Sequence, residues 1–313
     1  MFLCVSPNPA IDKRLTVATL QRGRVNRAQA AQSFPGGKSA HVAMVLRTLG
    51  ADPHWIGPTG GPAGEALLAG LRSLGISAAN CPSVQPTRTN LEVVEEDGTV
   101  TEILEPGAAL CPSELQQFER LCQDSFAQGG ANANAIFSGS LPANTAPNLY
   151  ANLIASANTF GCKSFLDASG EPLRLALAAK PYFAKPNREE AAHLLGAAIN
   201  TISEAVVAVR QLLVLGAQSA ALSLGSQGLL FSPGQNHPLL FAPALPLQPR
   251  STVGCGDSAL AGFAFAIAAR HSPQDALRLA AACAAANCLA DSPGAATLAD
   301  IRTFQQQIEV QTL

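Results

Sequence analysis

Short apolar runs alternate with helical patterns along most of this sequence, and this alternation limits the possible folds more than any other feature. The runs end in glycine or polar turns, and they read FLCVS, HWIGPTGG, AIFSGSLP, SFLDASG and SAALSLG. Helical stretches such as EALLAGLRSLG and PLRLALAAK follow them. Because a helical crossover brings the next strand back in the same direction, the pattern predicts an α/β fold with a mostly parallel sheet and helices on both faces.

One segment departs from this alternation. TNLEVVEEDGTVTEILEP alternates polar and apolar residues around Asp97-Gly98, which is a strong signal for a β-hairpin. Together with RLTVATLQRGRVNRAQAAQSF, it predicts a small antiparallel sheet that projects from the main domain and is partly exposed on one face. We expect one domain over residues 1–313, with a discontinuous lid inserted at about residues 13–34 and 88–106.

The composition excludes several classes of protein. The 313 residues are 48% apolar and 13% charged, which is typical of a globular chain with a large core. A net charge of -2 leaves no basic surface for nucleic acid. The most apolar stretch, ALAGFAFAIAA, is shorter than the roughly 20 residues of a membrane-spanning helix. The eight cysteines form no CxxC pair and no zinc-ligand cluster, so we expect reduced thiols in a cytoplasmic protein.

The stretch STVGCGDSALAG places a carboxylate, Asp257, directly after a glycine-rich turn. Gly254, Cys255 and Gly256 allow the backbone to turn tightly, and the following residues predict a helix whose first N–H groups are unpaired. Such a helix start attracts anions. An aspartate beside a bound phosphate is suited to accept the proton of a hydroxyl that attacks phosphorus. An aspartate that only caps the helix gives the same pattern.

A second glycine-rich turn, in PGGKSAHVAMVLRTLG, indicates another anion site. It differs from the nucleotide loop G-x-x-x-x-G-K-[ST] because Gln32 stands where the first glycine is required. What remains is Lys38 after two glycines at the start of a predicted helix, which suits a substrate phosphate or sugar hydroxyls. A tight turn with an exposed lysine is the alternative interpretation.

Two further motifs carry polar side chains next to predicted strands. KPNREE places Asn187 and Glu190 at i and i+3 after Lys185, so both side-chain oxygens could reach one Mg²⁺ or its waters. A helix cap with a solvated acidic first turn is the alternative. TRTN contains Arg88 and Asn90, a cation and an amide that suit a phosphate and a hydroxyl, or it holds only a surface arginine.

The order and combination of these motifs carry a resemblance to a known family. SPNPAID, PGGK, TRTN, SGSLP, DASGEPL, KPN..E, SLG..G and STVGCGDSALAG together resemble the PfkB, or ribokinase-like, carbohydrate kinases across nearly the whole chain. The sequence is most similar to their phosphosugar branch, namely minor 6-phosphofructokinase, 1-phosphofructokinase and tagatose-6-phosphate kinase. The resemblance implies a three-layer α/β/α ribokinase-like fold with a small β lid. It also implies homodimers in which the lids meet, and MgATP as the phosphoryl donor.

The same resemblance implies a reaction. The γ-phosphate of MgATP passes to the free primary hydroxyl of a ketohexose monophosphate, which is fructose 6-phosphate, tagatose 6-phosphate or fructose 1-phosphate. Basic residues near the acceptor favour a phosphorylated sugar over an unphosphorylated sugar or a nucleoside. A catalytically silent sugar-phosphate binding protein is the alternative from a different functional class.

Individual roles follow from matching the motifs. Asp257 matches the catalytic base, and Gly254, Cys255 and Gly256 match the turn whose N–H groups stabilise the moving phosphoryl group. The residues assigned to the acceptor are Asp12, Arg27, Gly37, Lys38, His41, Arg88, Asn90 and Ser138. The residues assigned to the nucleotide are Lys185, Asn187, Ser223, Gly225, Gly228 and, near the adenine, Asn287. Asn187 and Glu190 match the magnesium motif NxxE.

Three positions depart from the pattern of this branch. The substrate loop reads GGKSAH where GGKG.N or GGGG.N is usual, so Ser39 replaces glycine and His41 replaces asparagine. We expect His41 to alter the choice of sugar or to make one contact pH-dependent. Cys255 replaces alanine or serine in the anion-binding turn. The role of this turn is carried by backbone N–H groups, so we expect the replacement to have little cost. A thiol at a helix N-terminus is, however, a candidate for oxidative inactivation.

Overall fold

The computed structural model describes all 313 residues and contains fourteen strands. In chain order they are β1 (Phe2–Val5), β2 (Ala10–Val17), β3 (Ala30–Gly36), β4 (Pro53–Thr59), β5 (Ser77–Pro82), β6 (Arg88–Glu95), β7 (Val100–Leu104), β8 (Asn134–Ser138), β9 (Lys163–Asp167), β10 (Phe183–Ala184), β11 (Ser219–Ser223), β12 (Gly228–Ser232), β13 (Leu240–Pro243) and β14 (Gln311–Thr312).

Ten of these strands form the main sheet, in the order β14-β13-β12-β11-β10-β9-β8-β1-β4-β5. All neighbours from β11 to β5 pair in parallel, which confirms the mostly parallel sheet. The edge formed by β12, β13 and β14 is antiparallel. Its direction reverses after β11 because only a short 3₁₀ turn, Gly225–Gln227, connects β11 to β12, and a parallel crossover needs about a dozen residues.

Ten α-helices connect the strands. They are α1 (Lys38–Thr48), α2 (Gly61–Ser73), α3 (Pro112–Gly129), α4 (Leu149–Thr159), α5 (Gly170–Ala178), α6 (Arg188–Leu195), α7 (Ile202–Val214), α8 (Cys255–Ala268), α9 (Pro273–Leu289) and α10 (Leu298–Gln307). None of them is long and apolar enough to span a membrane.

Two hydrophobic clusters lie on opposite faces of the main sheet. In β1, Phe2 and Cys4 belong to the cluster beneath α1, α2, α8, α9 and α10, whereas Leu3 and Val5 belong to the cluster beneath α3 to α7. Side chains alternate between faces along a strand, so a run that is apolar at every position is buried on both sides. The three-layer α/β/α fold is thereby confirmed.

The remaining four strands form a second sheet in the order β3-β2-β6-β7. β6 and β7 pair in antiparallel fashion around a turn at Gly98, whose φ of 88° is left-handed, so the predicted hairpin is confirmed. The prediction of a wholly antiparallel sheet was wrong, because β2 and β6 pair in parallel. β2 and β6 are separated in sequence by strands and helices of the main domain, and both run away from the main sheet in the same direction.

Candidate active site

A single large cavity lies between the second sheet and the carboxyl ends of the parallel strands, where ligands bind in open α/β sheets. Its volume is about 1310 Å³, which exceeds the roughly 300–1,000 Å³ of a pocket for one small ligand. All the residues assigned to the site from sequence line this cavity except Arg27 and Asn287. The cavity therefore has room for two ligands side by side.

Asp257 lies in the first turn of α8 and is buried. The N-cap of this helix is Gly254, whose φ of 78° is left-handed and whose lack of a side chain leaves the helix without a side-chain cap. The carboxylate of Asp257 accepts no backbone hydrogen bond within the protein, and its Oδ2 lies 2.9 Å from Nδ1 of His41. A capping role therefore does not account for this aspartate.

The turn before α8 presents unpaired backbone donors. The N–H groups of Gly254, Gly256 and Asp257 donate to no atom of the protein, whereas the N–H of Cys255 donates to Thr252 O at 3.3 Å. Free N–H groups at the positive end of a helix dipole bind and stabilise anionic oxygens. This turn is thus an anion-binding element beside a carboxylate.

Asp12 and Asn90, which were expected to bind the acceptor, line the cavity from neighbouring strands. The parallel register of β2 and β6 places Asp12 opposite Asn90, and Asn90 Nδ2 donates to Asp12 Oδ1 at 2.8 Å. The other oxygen, Oδ2, lies 2.8 Å from His41 Nε2. Burial alone would raise the pKa of Asp12, but the hydrogen bonds and charge of His41 and the bond from Asn90 lower it. Asp12 is therefore held as a carboxylate.

Arg88 lies at the start of β6, next to Asn90. Its Nη1 donates to Glu105 O at 2.8 Å and its Nη2 to Asn8 O at 3.2 Å, while its Nε has no partner within the protein. No carboxylate lies within ion-pair distance of this guanidinium. Backbone carbonyls fix the position of the guanidinium, and no carboxylate neutralises its charge. The group is therefore suited to bind an anion.

Asp167, at the carboxyl end of β9, connects the two halves of the cavity. Its Oδ1 lies 2.7 Å from Lys38 Nζ and its Oδ2 lies 2.7 Å from Lys185 Nζ. Burial raises the pKa of Asp167, but the two ammonium groups outweigh it and hold the pKa well below its usual range. Asp167 begins the DASGEPL motif and was not among the predicted site residues, although a carboxylate at the end of a buried strand indicates such a position.

Lys38 is the first residue of α1 and also lies near Glu190, with Nζ 3.8 Å from Oε1. Burial alone would lower the pKa of Lys38, but Asp167, Asp257 and Glu190 raise it, so the ammonium stays charged. The neighbouring Ser39 is buried, and its hydroxyl lies 2.6 Å from Val5 O and 2.9 Å from Ser138 O. Ser39 thus ties α1 to the ends of β1 and β8.

Asn187 and Glu190 form a reciprocal cap at the start of α6. Asn187 Oδ1 accepts from the N–H of Glu190, and Glu190 Oε2 accepts from the N–H of Asn187, both at 2.8 Å. Burial and the charge of Asp167 raise the pKa of Glu190. The capping interpretation is therefore correct as local structure, and Oε1 of Glu190 is left outside the cap.

The part of the cavity where the nucleotide is expected is built on the β11–β12 connection and α9. Ser223 ends β11, Gly225 begins the 3₁₀ turn, and Gly228 opens β12 with a φ of 119°. A Cβ at Gly228 would lie 2.1 Å from Ala242 O, so only glycine fits this close approach of two strands. An apolar wall faces this turn and consists of Leu245, Leu247, Ala281, Ala284 and Ala285.

Two expected site residues do not face the cavity. Arg27 lies on the exposed segment between β2 and β3. Asn287 is buried in α9, where its Nδ2 donates to Val253 O at 2.7 Å and its Oδ1 accepts from Gly294 N at 2.8 Å. Its Nδ2 also lies 3.4 Å from Cys255 Sγ, so Asn287 supports the turn before α8 from behind and does not line the cavity.

Two thiols meet beside the anion-binding turn. Cys255, the first residue of α8, and Cys288, near the end of α9, have their Sγ atoms 3.2 Å apart. The hydrogen bond with Cys288 and burial raise the pKa of Cys255, whereas the same hydrogen bond lowers the pKa of Cys288.

The fold and the cavity define the class of this protein. A large two-ligand cavity, with unpaired N–H groups beside a buried carboxylate and lysines on both sides, has the parts that phosphoryl transfer to a hydroxyl requires. The protein is a phosphotransferase with an alcohol group as acceptor.

Comparison with known proteins identifies the family. Residues 8–299 match the pfkB family carbohydrate kinases. A 1-phosphofructokinase from Vibrio cholerae is 29% identical, covering 99% of this chain and 96% of that protein. A 1-phosphofructokinase from Xanthomonas campestris is 36% identical, covering 85% and 83%. Phosphofructokinase-2 from Escherichia coli in complex with substrates and products has a TM-score of 0.90 at 27% identity, covering 98% of each chain. The chain belongs to the pfkB family of carbohydrate kinases.

Proposed function

We propose that this protein transfers the γ-phosphate of ATP to the free primary hydroxyl of a ketohexose monophosphate, with Asp257 as the general base. Fructose 1-phosphate is the first acceptor to consider, because the relatives from Vibrio cholerae and Xanthomonas campestris are named 1-phosphofructokinase. The free primary hydroxyl of that sugar is on C6. Fructose 6-phosphate and tagatose 6-phosphate, which present the C1 hydroxyl, are the other acceptors of this class.

The observation that carries the proposal is a set of buried side-chain polar atoms without a hydrogen-bond partner. The protein has four such atoms, and one of them, Trp55 Nε1, lies away from the cavity. The other three, Arg88 Nε, Asn90 Oδ1 and Ser138 Oγ, belong to residues that line its acceptor side. A buried polar atom left unpaired costs about 1–3 kcal/mol. A ligand with hydroxyl and phosphate oxygens offsets that cost, and a sugar phosphate has both.

Each part of the proposed reaction is assigned to particular residues of the chain. Oδ1 of Asp257 has no partner within the protein and accepts the proton of the acceptor hydroxyl as its oxygen attacks phosphorus. The N–H groups of Gly254 and Gly256 donate to oxygens of the phosphoryl group in transfer. Arg88 and Lys38 hold the phosphate that is already on the sugar. The nucleotide lies along Lys185 and the apolar wall formed by α9 and the segment after β13.

Mg²⁺ fits the donor set on the nucleotide side. Oε1 of Glu190 is not used in the helix cap, and carboxylate and amide oxygens are the ligands that Mg²⁺ prefers. No group of three or more His, Cys, Asp or Glu residues could hold a metal ion. This suits an ion that is held by one or two protein oxygens together with phosphates and waters. Glu190, with Asn187, would hold the ion, which neutralises charge on the nucleotide phosphates.

We also propose an oligomeric state and a cellular location for this protein. We expect a homodimer that forms through the β lid, because Ile103 and Leu104 on the edge strand β7 are both 56% exposed. All eight cysteines are free, which supports a cytoplasmic location.

A panel of acceptors tests the function. We expect release of ADP from MgATP with fructose 1-phosphate, fructose 6-phosphate or tagatose 6-phosphate, at a higher kcat/KM than with fructose or ribose. Arg88→Lys should lower kcat/KM on the order of 10–100-fold for phosphorylated acceptors and leave fructose unaffected, because a charge-assisted bond to phosphate contributes about 1.5–3 kcal/mol.

Arg174→Lys, at an exposed arginine paired with Glu171, is the matched control and should behave as wild type. Preference for fructose or ribose would assign the protein to kinases of unphosphorylated sugars. Binding of hexose phosphates without ADP release would make it a silent binding protein.

A further inference from the structure

His41 lies between the two carboxylates of the candidate active site and contacts both. Its Nδ1 is 2.9 Å from Asp257 Oδ2, and its Nε2 is 2.8 Å from Asp12 Oδ2. All three side chains are buried. A neutral imidazole has one N–H, while an ionised carboxylate only accepts hydrogen bonds. Both contacts are therefore satisfied only when the group of three holds one proton more than two carboxylates and a neutral imidazole.

Contacts on two sides fix the backbone of His41. The N–H of His41 donates to Gly37 O at 3.2 Å, within the first turn of α1. Gly294 packs against its backbone from the segment after α9. A Cβ at Gly294 would lie 3.1 Å from the Cα and 3.2 Å from the carbonyl oxygen of His41. The imidazole therefore spans the gap between β2 of the second sheet and α8 of the main domain.

The charged groups around the ring favour its cationic form. Asp12 faces it from β2 and Asp257 from α8, while Glu102 approaches from β7. Lys38, on the same helix, and Arg88, on β6, are the cations on this side of the cavity, and Asp167 is paired with Lys38. Burial alone would lower the pKa of His41, but the hydrogen bonds and charges of Asp12 and Asp257 raise it to about 10.

We propose that His41 is a positioning residue that, as an imidazolium, holds the carboxylates of Asp12 and Asp257 in one fixed arrangement. This inference rests on the proposed function. By occupying Oδ2 of Asp257, His41 leaves Oδ1 as the oxygen that meets the acceptor hydroxyl. By occupying Oδ2 of Asp12, it fixes the strand that carries the acceptor-binding carboxylate relative to the base.

An asparagine at this position, usual in the branch that the sequence resembles, cannot do both. Both of its N–H donors are on one nitrogen, whereas an imidazolium has its two donors on separate ring nitrogens, and the amide has no charge to balance two carboxylates. Two buried carboxylates would then face the same site without a counter-charge, and like charges raise the pKa of one of them. His41 thus supplies the counter-charge that lowers the pKa of Asp12 and keeps that carboxylate ionised.

The protonation state is measured first, on the free wild-type protein by ¹⁵N–¹H NMR of the histidine rings. We expect His41 to carry protons on both ring nitrogens at about pH 8, where an unperturbed histidine, with a pKa of roughly 6.5, carries one. His41→Asn identifies the signals, and the exposed His271 serves as the internal reference. This readout does not depend on the acceptor or on turnover, so it stands apart from the proposed function.

The kinetic consequence is measured with the best acceptor of the panel, in wild type, His41→Asn and His41→Gln. We expect kcat to fall and the acceptor KM to rise, with a loss in kcat/KM on the order of 10–100-fold and the KM for ATP unchanged. The acidic limb of the pH profile of kcat/KM should move to higher pH by about 1–3 units, because the counter-charge has been removed. His271→Asn is the matched control and should keep both the rate and the pH profile.

Two results would overturn the inference. One is a His41 ring that carries a single proton at about pH 8. The other is an acidic limb in folded His41→Asn that coincides with that of wild type. A wild-type protein that turns over no acceptor but retains the doubly protonated ring would refute the proposed function instead.

Discussion

At the scale of the residue, the environment of an aspartate decides its role more than its place in a helix. Asp257, Asp275 and Asp300 are each the third residue of a helix. The side chains of Asp275 and Asp300 accept from the hydroxyl of the N-cap residue, at 2.7 and 2.6 Å. The N-cap before Asp257 is Gly254, which has no side chain to offer. Asp257 is therefore free to face the cavity, where it meets His41.

Replacement of this carboxylate tests its proposed role as base. Asp257→Asn should lower kcat by roughly 10²–10⁴-fold, since an amide cannot accept the proton of the acceptor hydroxyl. The KM for ATP should change little. Asp275→Asn, at the same position of α9 but on the surface, is the control and should retain wild-type turnover. The assignment of Asp257 as base fails if Asp257→Asn retains the wild-type kcat in the coupled ADP assay.

At the scale of the element, the start of α8 depends on its contact with α9. A Cβ at Gly262 would lie 2.7 Å from Ala280 Cα, so the two helices approach backbone to backbone. This close packing brings Cys255 at the start of α8 next to Cys288 near the end of α9. The anion-binding turn is thus joined to α9 through small side chains and one pair of thiols.

This pair predicts inactivation by a thiol oxidant. Diamide takes two protons and two electrons from the thiols of Cys255 and Cys288, which leaves one S–S bond and the reduced hydrazine. The Sγ separation must fall from 3.2 Å to about 2.05 Å, so the turn that presents the anion-binding N–H groups moves. We expect loss of activity that dithiothreitol restores.

Cys288→Ser should resist diamide, and so identifies the pair as the cause. Cys111→Ser, which removes an exposed thiol outside the cavity, is the matched control and should be inactivated like wild type. Inactivation of Cys288→Ser at the wild-type rate would place the sensitive thiol elsewhere.

At the scale of the whole molecule, the ion pairs of the cavity also connect its two sheets. Asp12 belongs to the second sheet, while Asp257 belongs to α8 above the main sheet, and the imidazole of His41 bridges them. A protein whose layers are joined by ionised groups should have a stability that depends on pH.

The shifted pKa values give the direction of that dependence. The pKa of His41 is about 10 in the folded protein, against an ordinary value of 6.5. Its contribution to the free energy of unfolding is therefore complete below about pH 6.5 and is lost as the pH rises through about 10. The pKa of Asp12 is lowered from 3.8, so its contribution to the free energy of unfolding is present above that pH and is lost on acidification.

Urea unfolding of wild type and His41→Asn measures both effects. We expect the midpoint of wild type to fall more steeply between about pH 7 and 10. If the unfolding midpoints of the two proteins changed in parallel with pH, His41 would not be the source of this pH dependence.

The sequence by itself determined the local features of this protein. Alternating apolar runs and helical patterns gave the α/β/α layers, and Asp97-Gly98 gave the hairpin. The turn at Gly254 and Asp257 indicated where an anion meets a carboxylate. These features depend on side-chain periodicity and on backbone freedom at glycine, both of which operate over a few residues and are therefore readable from sequence.

The tertiary structure alone decided which charged groups meet. His41 and Asp257 are 216 positions apart, and Lys38 at the start of α1 meets Asp167, 129 positions away at the end of β9, which also binds Lys185 after β10. The same holds for Asn287, whose amide is used by backbone atoms behind the turn. Such contacts depend on how helices and strands from distant parts of the chain pack together, and no local pattern encodes the partner that packing brings within hydrogen-bond distance.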